Sequence, residues 1–111
     1  MDFNEYQQLA LRTFNTKAKD QMTLNGVMGI CGEGGECLDL MKKHMFQGHE
    51  LSPDKLKDEL GDIMWYLAIT AESIGVKLED IAEFNVNKLR TRYPNGFSSS
   101  DSVARVDYKK K

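Results

Sequence analysis

The stretch at residues 52–75, SPDKLKDELGDIMWYLAITAESIG, determines most of what this sequence predicts about its fold. Ser52 followed by Pro53 is a typical helix start, because serine caps the first turn and proline fits its first position. Gly75 is a typical helix end, so we expect a helix to about Ile74. One face of this helix carries a repeated, largely apolar stripe: Leu56, Leu60, Ile63, Leu67, Thr70 and Ile74.

Trp65 and Ile69 project from roughly the opposite side of the same helix, at about 100° per residue. A helix that is apolar on two sides usually has neighbours on both sides. A short chain has few helices to supply them. We therefore expect Trp65 and Ile69 to lie at an interface between subunits.

The periodicity is helical along nearly the whole chain, and no alternating strand pattern is convincing. A first helix begins at the capping pair of Asp2 and Glu5 and carries one apolar face up to Phe14. A second helix spans about 25–45, and a fourth spans about 78–92 and stops before Tyr93-Pro94. The expected fold class is all-α, a four-helix bundle assembled as a homo-oligomer.

We expect residues 1–97 to form one helical domain and residues 98–111 to form a polar C-terminal tail. Residues 98–102 are polar and typical of a loop, and the basic run at 107–111 is typical of a solvated tail. A chain of 111 residues fits a single domain.

Composition narrows the class of protein. The formal net charge is −2, whereas a dedicated duplex-DNA binder is normally basic, so nucleic acid is not an expected partner. The N-terminal residues lack a basic segment followed by an apolar one, so we expect no signal peptide, and no uninterrupted apolar run approaches about 20 residues. Cys31 and Cys37 are poorly placed to bridge within one helix, and we expect both to be buried thiols. We therefore expect a cytoplasmic protein without a membrane partner.

The start of the second helix is rich in glycine. The glycines are Gly26, Gly29, Gly32, Gly34 and Gly35. Each glycine inside a helix costs roughly 0.5–1 kcal/mol relative to alanine, so something should compensate. Close helix packing and room for a ligand beside the backbone are both open explanations.

Two pairs of carboxylates recur at helical spacing: Glu33 with Glu36, and Glu59 with Asp62. Residues three apart share a face, and packing the two helices antiparallel would bring the pairs opposite each other. Four such charges would repel strongly unless a cation were bound. Oxygen ligands favour magnesium, manganese or calcium over zinc. Such a motif on a single helix is usually only a solvated face, but both pairs lie at the margin of the predicted core.

Four further residues are candidates for substrate binding. Tyr66 follows Asp62 by one turn and would pack on a base or sugar, or bond a phosphate, unless it is core edge. Asn85, Lys88 and Arg92 recur on one face of the fourth helix. They are an exposed polar face or a phosphate clamp, since a triphosphate needs cations beyond the metal.

Four segments together resemble the MazG-like nucleotide pyrophosphohydrolases. They are Gly32-Glu33-Gly34-Gly35-Glu36, Lys42-Lys43, Glu59-Leu60-Gly61-Asp62-Ile63-Met64-Trp65-Tyr66-Leu67, and Asn85-Val86-Asn87-Lys88-Leu89-Arg90-Thr91-Arg92-Tyr93-Pro94. The resemblance covers about residues 3–97.

This resemblance implies an all-α bundle that forms dimers or tetramers. It also implies Mg²⁺, with Mn²⁺ as a substitute, held by the catalytic carboxylates Glu33, Glu36, Glu59 and Asp62. Asn85, Lys88 and Arg92 would then lie near the nucleotide phosphates. Related dimeric dUTPases and dCTP pyrophosphatases share the acidic arrangement, so the preferred base stays open.

The expected reaction is hydrolysis of an NTP or dNTP to the monophosphate and pyrophosphate, by attack of water at the α-phosphorus. One outer carboxylate, such as Glu36, would orient or deprotonate the water. A di-iron carboxylate bundle would need Glu-x-x-His motifs. The residues three positions before His44 and His49 are Met41 and Phe46, so neither histidine belongs to such a motif. The alternative outside catalysis is a helical nucleotide-binding or protein-interaction module.

Overall fold

The computed structural model describes residues 1–109, and side chains up to residue 108. Within that part of the chain the protein is all-helical, with no β-strand. The α-helices are α1 (Phe3–Leu11), α2 (Met22–Phe46), α3 (Pro53–Ser73), α4 (Leu78–Arg92), α5 (Ser99–Ala104) and α6 (Val106–Lys109), and a 3₁₀ helix, Thr16–Gln21, lies between α1 and α2. None of these helices is both long enough and apolar enough to cross a membrane.

The ends of the principal helices follow the sequence signals. Asp2 caps α1 by accepting a hydrogen bond from the Glu5 amide at 2.8 Å. Ser52 caps α3 by accepting one from the Lys55 amide at 3.3 Å. Gly75, with a φ of 72°, follows α3 and has the left-handed conformation that glycine adopts most readily. The four helices predicted from the sequence are therefore confirmed, to within three residues at each end of α2 and α3.

Helices α2 and α3 pack against each other as an antiparallel pair. The Thr23 hydroxyl donates to that of Ser73 at 2.8 Å, near the start of α2 and the end of α3. One turn further along α2, Gly26 lies against Thr70. The paired positions therefore rise along α2 as they fall along α3, which places Glu33 opposite the Glu59–Asp62 turn.

Helix α1 packs on a different face of α3. The Trp65 indole donates to the Ala10 carbonyl oxygen at 3.1 Å and to the Thr13 hydroxyl at 2.8 Å. Ala10 and Ala68 belong to one buried cluster, against which the Trp65 ring packs. The core therefore lies on the Trp65 side of α3.

The prediction of a subunit interface is wrong for Ile69, and for Trp65 the structure supplies a neighbour within the same chain. Ile69 is completely buried within the single chain, and Trp65 is fixed to α1. The predicted core stripe is instead partly open, with Leu60 50% and Ile74 59% exposed. Helical periodicity shows that α3 has two apolar faces, but it does not show which one α1 covers.

The two cysteines also differ from the prediction, since Cys31 is exposed and Cys37 is half-buried. Both thiols are free. They lie on α2, whose outer side no helix of residues 1–78 covers fully: Leu38 is 70% exposed.

Residues 1–78 and residues from 79 onward form separate compact units. In the second unit, residues 99–104 are helical, so the prediction of a loop at 98–102 is wrong for most of that segment. The Ser98 hydroxyl caps α5 by accepting from the Asp101 amide at 3.0 Å. The predicted solvated tail is wrong for Asp107, which is 6% exposed, and Lys110 and Lys111 lie outside the described residues.

Candidate metal and nucleotide site

Three of the four predicted carboxylates come together between α2 and α3. Glu33 extends from α2, and Glu59 and Asp62 extend from one turn of α3. One ligand oxygen from each lies within 4.8 Å of the others. Among the described residues this is the only group of three acidic, histidine or cysteine side chains that close; we call it the acidic trio. Glu33 and Glu59 are half-buried, and Asp62 is exposed.

The acidic trio is electrostatically strained. A contact between the Glu33 and Glu59 carboxyl groups raises the pKa of Glu59, and partial burial adds to the shift. The negative charges of Glu33, Asp58 and Asp62 act in the same direction. Like charges this close disfavour ionisation unless an opposite charge joins them. Glu59 therefore holds a proton more tightly than an isolated glutamate would, and a cation would relieve the same repulsion.

The donor chemistry of the acidic trio fits a hard divalent cation. All three side chains offer carboxylate oxygens, the ligand type that Mg²⁺, Mn²⁺ and Ca²⁺ prefer. No sulfur or imidazole ligand joins them within the described residues. A partly open group is also appropriate for Mg²⁺, which usually keeps several of its waters.

Glu36 is placed differently from the acidic trio. It is exposed on α2, one turn beyond Glu33, and its oxygens are not among those within 4.8 Å of one another. The structure thus brings together three of the four predicted carboxylates. The role of Glu36 stays a prediction.

Tyr66 lies one turn from Asp62 on α3 and contacts Gly29 of α2. Its ring is held edge-to-face against Trp65, with ring centroids 5.0 Å apart and planes at 88°. Tyr66 and Gly29 line an open groove of about 410 Å³, together with Ala18, Gln21, Leu24, Asn25 and Met28. Gly29 precedes Glu33 by one helical turn, so the groove lies next to the acidic trio along both helices.

The glycines of α2 divide into two groups. A methyl group added at Gly26 would overlap the Thr70 side chain, and one added at Gly29 would overlap the Tyr66 ring. These two glycines therefore permit the close approach of α2 and α3. Gly32, Gly34 and Gly35 have no such neighbour within 4 Å, so close packing explains only the first group.

Tyr6, on α1, was not among the predicted site residues, yet its phenol responds to the charge of Asp62. Partial burial raises the pKa of its phenol, and the negative charge of Asp62 raises it further. The Tyr6 hydroxyl therefore interacts electrostatically with Asp62, one member of the acidic trio. Its spacing along α1 is that of any core residue, so no sequence signal separates it from its neighbours.

The predicted phosphate clamp lies on α4, in the second unit. Asn85 is exposed there, and Lys88 and Arg92 are half-buried. Arg92 Nε and Nη2 donate to the two carboxylate oxygens of Asp107 at 2.8 and 2.9 Å. Asp107 was not predicted as a partner, since nothing in the sequence connects a tail aspartate with an arginine fifteen residues earlier.

Comparison with known families identifies the class of this protein. The model of the MazG nucleotide pyrophosphohydrolase domain matches residues 21–97, which include the acidic trio, Tyr66 and α4. The chain therefore belongs to the MazG family, a family of hydrolases that act on nucleotides. Tyr6 and Asp107 both lie outside the matched region.

One relative is the Gene 37 protein of Mycobacterium phage L5, which is 37% identical over 73 residues. The aligned part covers 62% of this chain and 64% of the phage protein. The chain thus spans less than two thirds of that relative's length. No solved structure is significantly similar.

Proposed function

We propose that this protein is a divalent-metal-dependent nucleoside triphosphate pyrophosphohydrolase, which converts an NTP or dNTP to the nucleoside monophosphate and pyrophosphate. The observation that supports this most strongly is the acidic trio. Its three carboxylates lie on the two packed helices of a MazG domain, with oxygens within 4.8 Å of one another. Three carboxylates this close repel one another, and a bound divalent cation would offset that repulsion while using all three as oxygen ligands.

In this proposal Glu33, Glu59 and Asp62 hold Mg²⁺, or Mn²⁺ in its place, and Glu36 is an outer carboxylate of the same catalytic group. When bound, the ion would supply positive charge to the phosphate oxygens and lower the pKa of a water molecule. The exposed carboxylates leave access for the triphosphate from solvent.

The reaction that this arrangement supports is a single displacement. The oxygen of a water molecule attacks the α-phosphorus, and the bond from that phosphorus to the α–β bridging oxygen breaks. The bridging oxygen and its electron pair leave with pyrophosphate. In this proposal Glu36, which is exposed on α2 one turn beyond Glu33, accepts a proton from the attacking water.

The open groove beside Tyr66 accepts the nucleoside. Its volume is in the range of small-molecule sites, and its lining combines an aromatic ring with the amide side chains of Gln21 and Asn25. A base against Tyr66 would place its own phosphates toward Asp62, one turn away. Asn85, Lys88 and Arg92 of α4 bind phosphate oxygens.

Assembly as a homo-oligomer, a dimer or tetramer, belongs to the same proposal. Large apolar side chains remain exposed along α2 and α3: Leu24, Met28, Leu38, Met45 and Leu60 are 58%, 63%, 70%, 64% and 50% exposed. Leu38, Met45 and Leu60 do not line the groove beside Tyr66, and large apolar side chains left exposed in this way support an interface between subunits. Sedimentation as a 12.6 kDa monomer at micromolar concentration would contradict this part.

The deciding experiment is a panel of the eight common NTPs and dNTPs with Mg²⁺ in ¹⁸O-labelled water. We expect monophosphate and pyrophosphate from at least one nucleotide, with the ¹⁸O in the monophosphate, and loss of turnover in excess EDTA. Label in pyrophosphate would place the attack at the β-phosphorus. Binding without turnover of any nucleotide would instead favour the non-catalytic module.

A further inference from the structure

The C-terminal segment outside the MazG-matched region supplies the carboxylate that holds Arg92. Arg92 is the last residue of α4, and Asp107 lies on α6. Their two hydrogen bonds, at 2.8 and 2.9 Å, form a bidentate pair in which both carboxylate oxygens accept. The pair is shielded, since the Arg92 side chain is 11% exposed and that of Asp107 is 3% exposed.

Aromatic rings fix the same guanidinium further. Its central carbon lies 5.8 Å from the centroid of the Tyr93 ring and 5.2 Å from that of the Tyr108 ring. A second arginine, Arg105, lies 4.9 Å from the Tyr108 ring. The Tyr108 ring therefore contacts two arginines, and α6 is held to the end of α4 by this ring contact as well as by the ion pair.

This arrangement restricts what Arg92 can do. A guanidinium presents five N–H donors in a rigid fork, and Asp107 takes donors on the Nε edge. The remaining donors keep a fixed direction, because the side chain cannot rotate without breaking a shielded ion pair. Breaking such a pair is unfavourable, as it leaves a buried charge uncompensated.

Lys88 also interacts electrostatically with Asp107. Hydrogen bonding to Arg92 lowers the pKa of Asp107, and the positive charge of Lys88 contributes to the shift. Two of the three predicted phosphate-binding residues of α4 therefore act on this one carboxylate. The negative charge of Asp107 also limits the repulsion between Lys88 and Arg92 when no phosphate is present.

We infer that Asp107 is a positioning residue: it holds the Arg92 side chain in the orientation in which Arg92 binds a phosphate group of the nucleotide. The inference rests on the proposed function, in which Arg92 binds the triphosphate. Asp107 itself does not touch the substrate. Asp107 is then a supporting residue of the site and not part of a solvated tail.

The test compares Asp107→Asn with Asp101→Asn in the full-length protein. Asp101 lies in the same segment but makes its hydrogen bonds with Ser98 and Arg105 through its backbone. For Asp107→Asn we expect the KM of the hydrolysed nucleotide to rise about tenfold, in the range seen when groups that orient a binding side chain are removed. The inhibition constant of pyrophosphate should rise in parallel, while kcat changes less than about threefold. Asp101→Asn should leave all three constants unchanged.

A structural readout accompanies the kinetics. In the ¹⁵N spectrum of the arginine side chains, the Arg92 Nε–H of the wild type should exchange slowly with water, and that of Asp107→Asn should exchange faster. A loss confined to kcat per mole of protein, with KM and the pyrophosphate constant unchanged, would show that Asp107 only supports folding and would overturn the inference. A fall in KM would overturn it too, because Asp107 would then compete with phosphate.

Failure of the proposed function gives a different result from failure of this inference. If the wild type hydrolyses no nucleotide in the panel, the proposed function fails and the inference fails with it. If the wild type is active and Asp107→Asn keeps its KM, only the inference fails.

Discussion

The acidic trio and the Arg92–Asp107 pair are charged clusters of opposite construction. The first holds three like charges, with oxygens within 4.8 Å of one another. The second joins opposite charges at 2.8 and 2.9 Å and is almost completely shielded from solvent. The pKa of Glu59 is raised in the first cluster, mainly by the Glu33 carboxyl group, and the pKa of Asp107 is lowered in the second by its hydrogen bonds with Arg92.

This difference shows how each cluster is held in place. Arg92 and Asp107 attract each other, so their contact stabilises the helices that carry it. The acidic trio has no such attraction, and the packing of α2 on α3 must impose it. The close approach at Gly26 and Gly29 supplies that packing. A cluster that the fold assembles against its own electrostatics has the construction of a ligand site.

The largest expected effect comes from removing one charge of the acidic trio. Glu59→Gln keeps the size of the side chain, and we expect kcat/KM to fall at least about 100-fold, because the charge needed for metal placement is lost. Melting in EDTA should occur at the same or a higher temperature than for the wild type, since a repulsive contact is gone. Initial rates at saturating Mg²⁺, beside a melt in EDTA, measure both quantities.

Asp58→Asn is the matched control for Glu59→Gln. Asp58 precedes Glu59 on α3, is exposed, and is not one of the acidic trio. Its loss should leave the rate within about threefold of wild type, as expected for a surface change away from the reacting groups. Equal losses in the two variants, or a normal rate for Glu59→Gln, would remove the acidic trio from the mechanism.

A smaller loss of kcat/KM is expected when the packing of α2 on α3, which brings the three carboxylates together, is disturbed. Gly29→Ala should destabilise the protein by about 1–3 kcal/mol, because the new methyl group overlaps the Tyr66 ring. It should also lower kcat/KM by about 10- to 100-fold, since it separates α2 from α3 one turn before Glu33.

Gly35→Ala is the control for this backbone effect. No atom beyond its own helix lies within 4 Å of the added methyl, so the change should stabilise α2 by roughly 0.5–1 kcal/mol. Urea unfolding beside rate measurements separates the two variants. If Gly29→Ala kept full activity and stability, close approach at Gly29 would not be what assembles the acidic trio.

Local sequence patterns predicted helices α1 to α4 and the proximity of three of the four carboxylates, Glu33, Glu59 and Asp62. Capping signals gave the start of α1 and both ends of α3, and the three-residue spacing of Glu59 and Asp62 gave their shared face. The errors concern contacts between distant parts of the chain. Periodicity could not show that α1 covers the Trp65 face of α3, because both faces are apolar.

The C-terminal segment illustrates the same limit. Residues 98–102 contain four serines and one aspartate, which are typical of loops, yet Ser98 uses its hydroxyl to start α5. The burial of Asp107 depends on Arg92, fifteen residues away. No local propensity contains that information, because the contact forms only once α5 and α6 have turned the chain back.

The smallest expected effect is on the pH dependence of stability in the metal-free protein, where the two clusters act in opposite directions. The folded-state pKa of Glu59 is raised above its unfolded value of about 4.3, so the native state binds more protons in that interval. Stability should therefore fall as pH rises from about 4 through the folded pKa of Glu59. The pKa of Asp107 is lowered from about 3.9, so its stabilising contribution is complete above that value and is lost as pH falls through the folded pKa. Urea midpoints measured in EDTA from pH 3 to pH 8 should show both changes in stability. Glu59→Gln should reduce only the fall in stability at higher pH, and Asp107→Asn should reduce only the fall at lower pH. If Glu59→Gln did not change the loss of stability at higher pH, repulsion within the acidic trio would not be the cause of that loss. The contrast between like charges in the acidic trio and opposite charges in the Arg92–Asp107 pair would then fail.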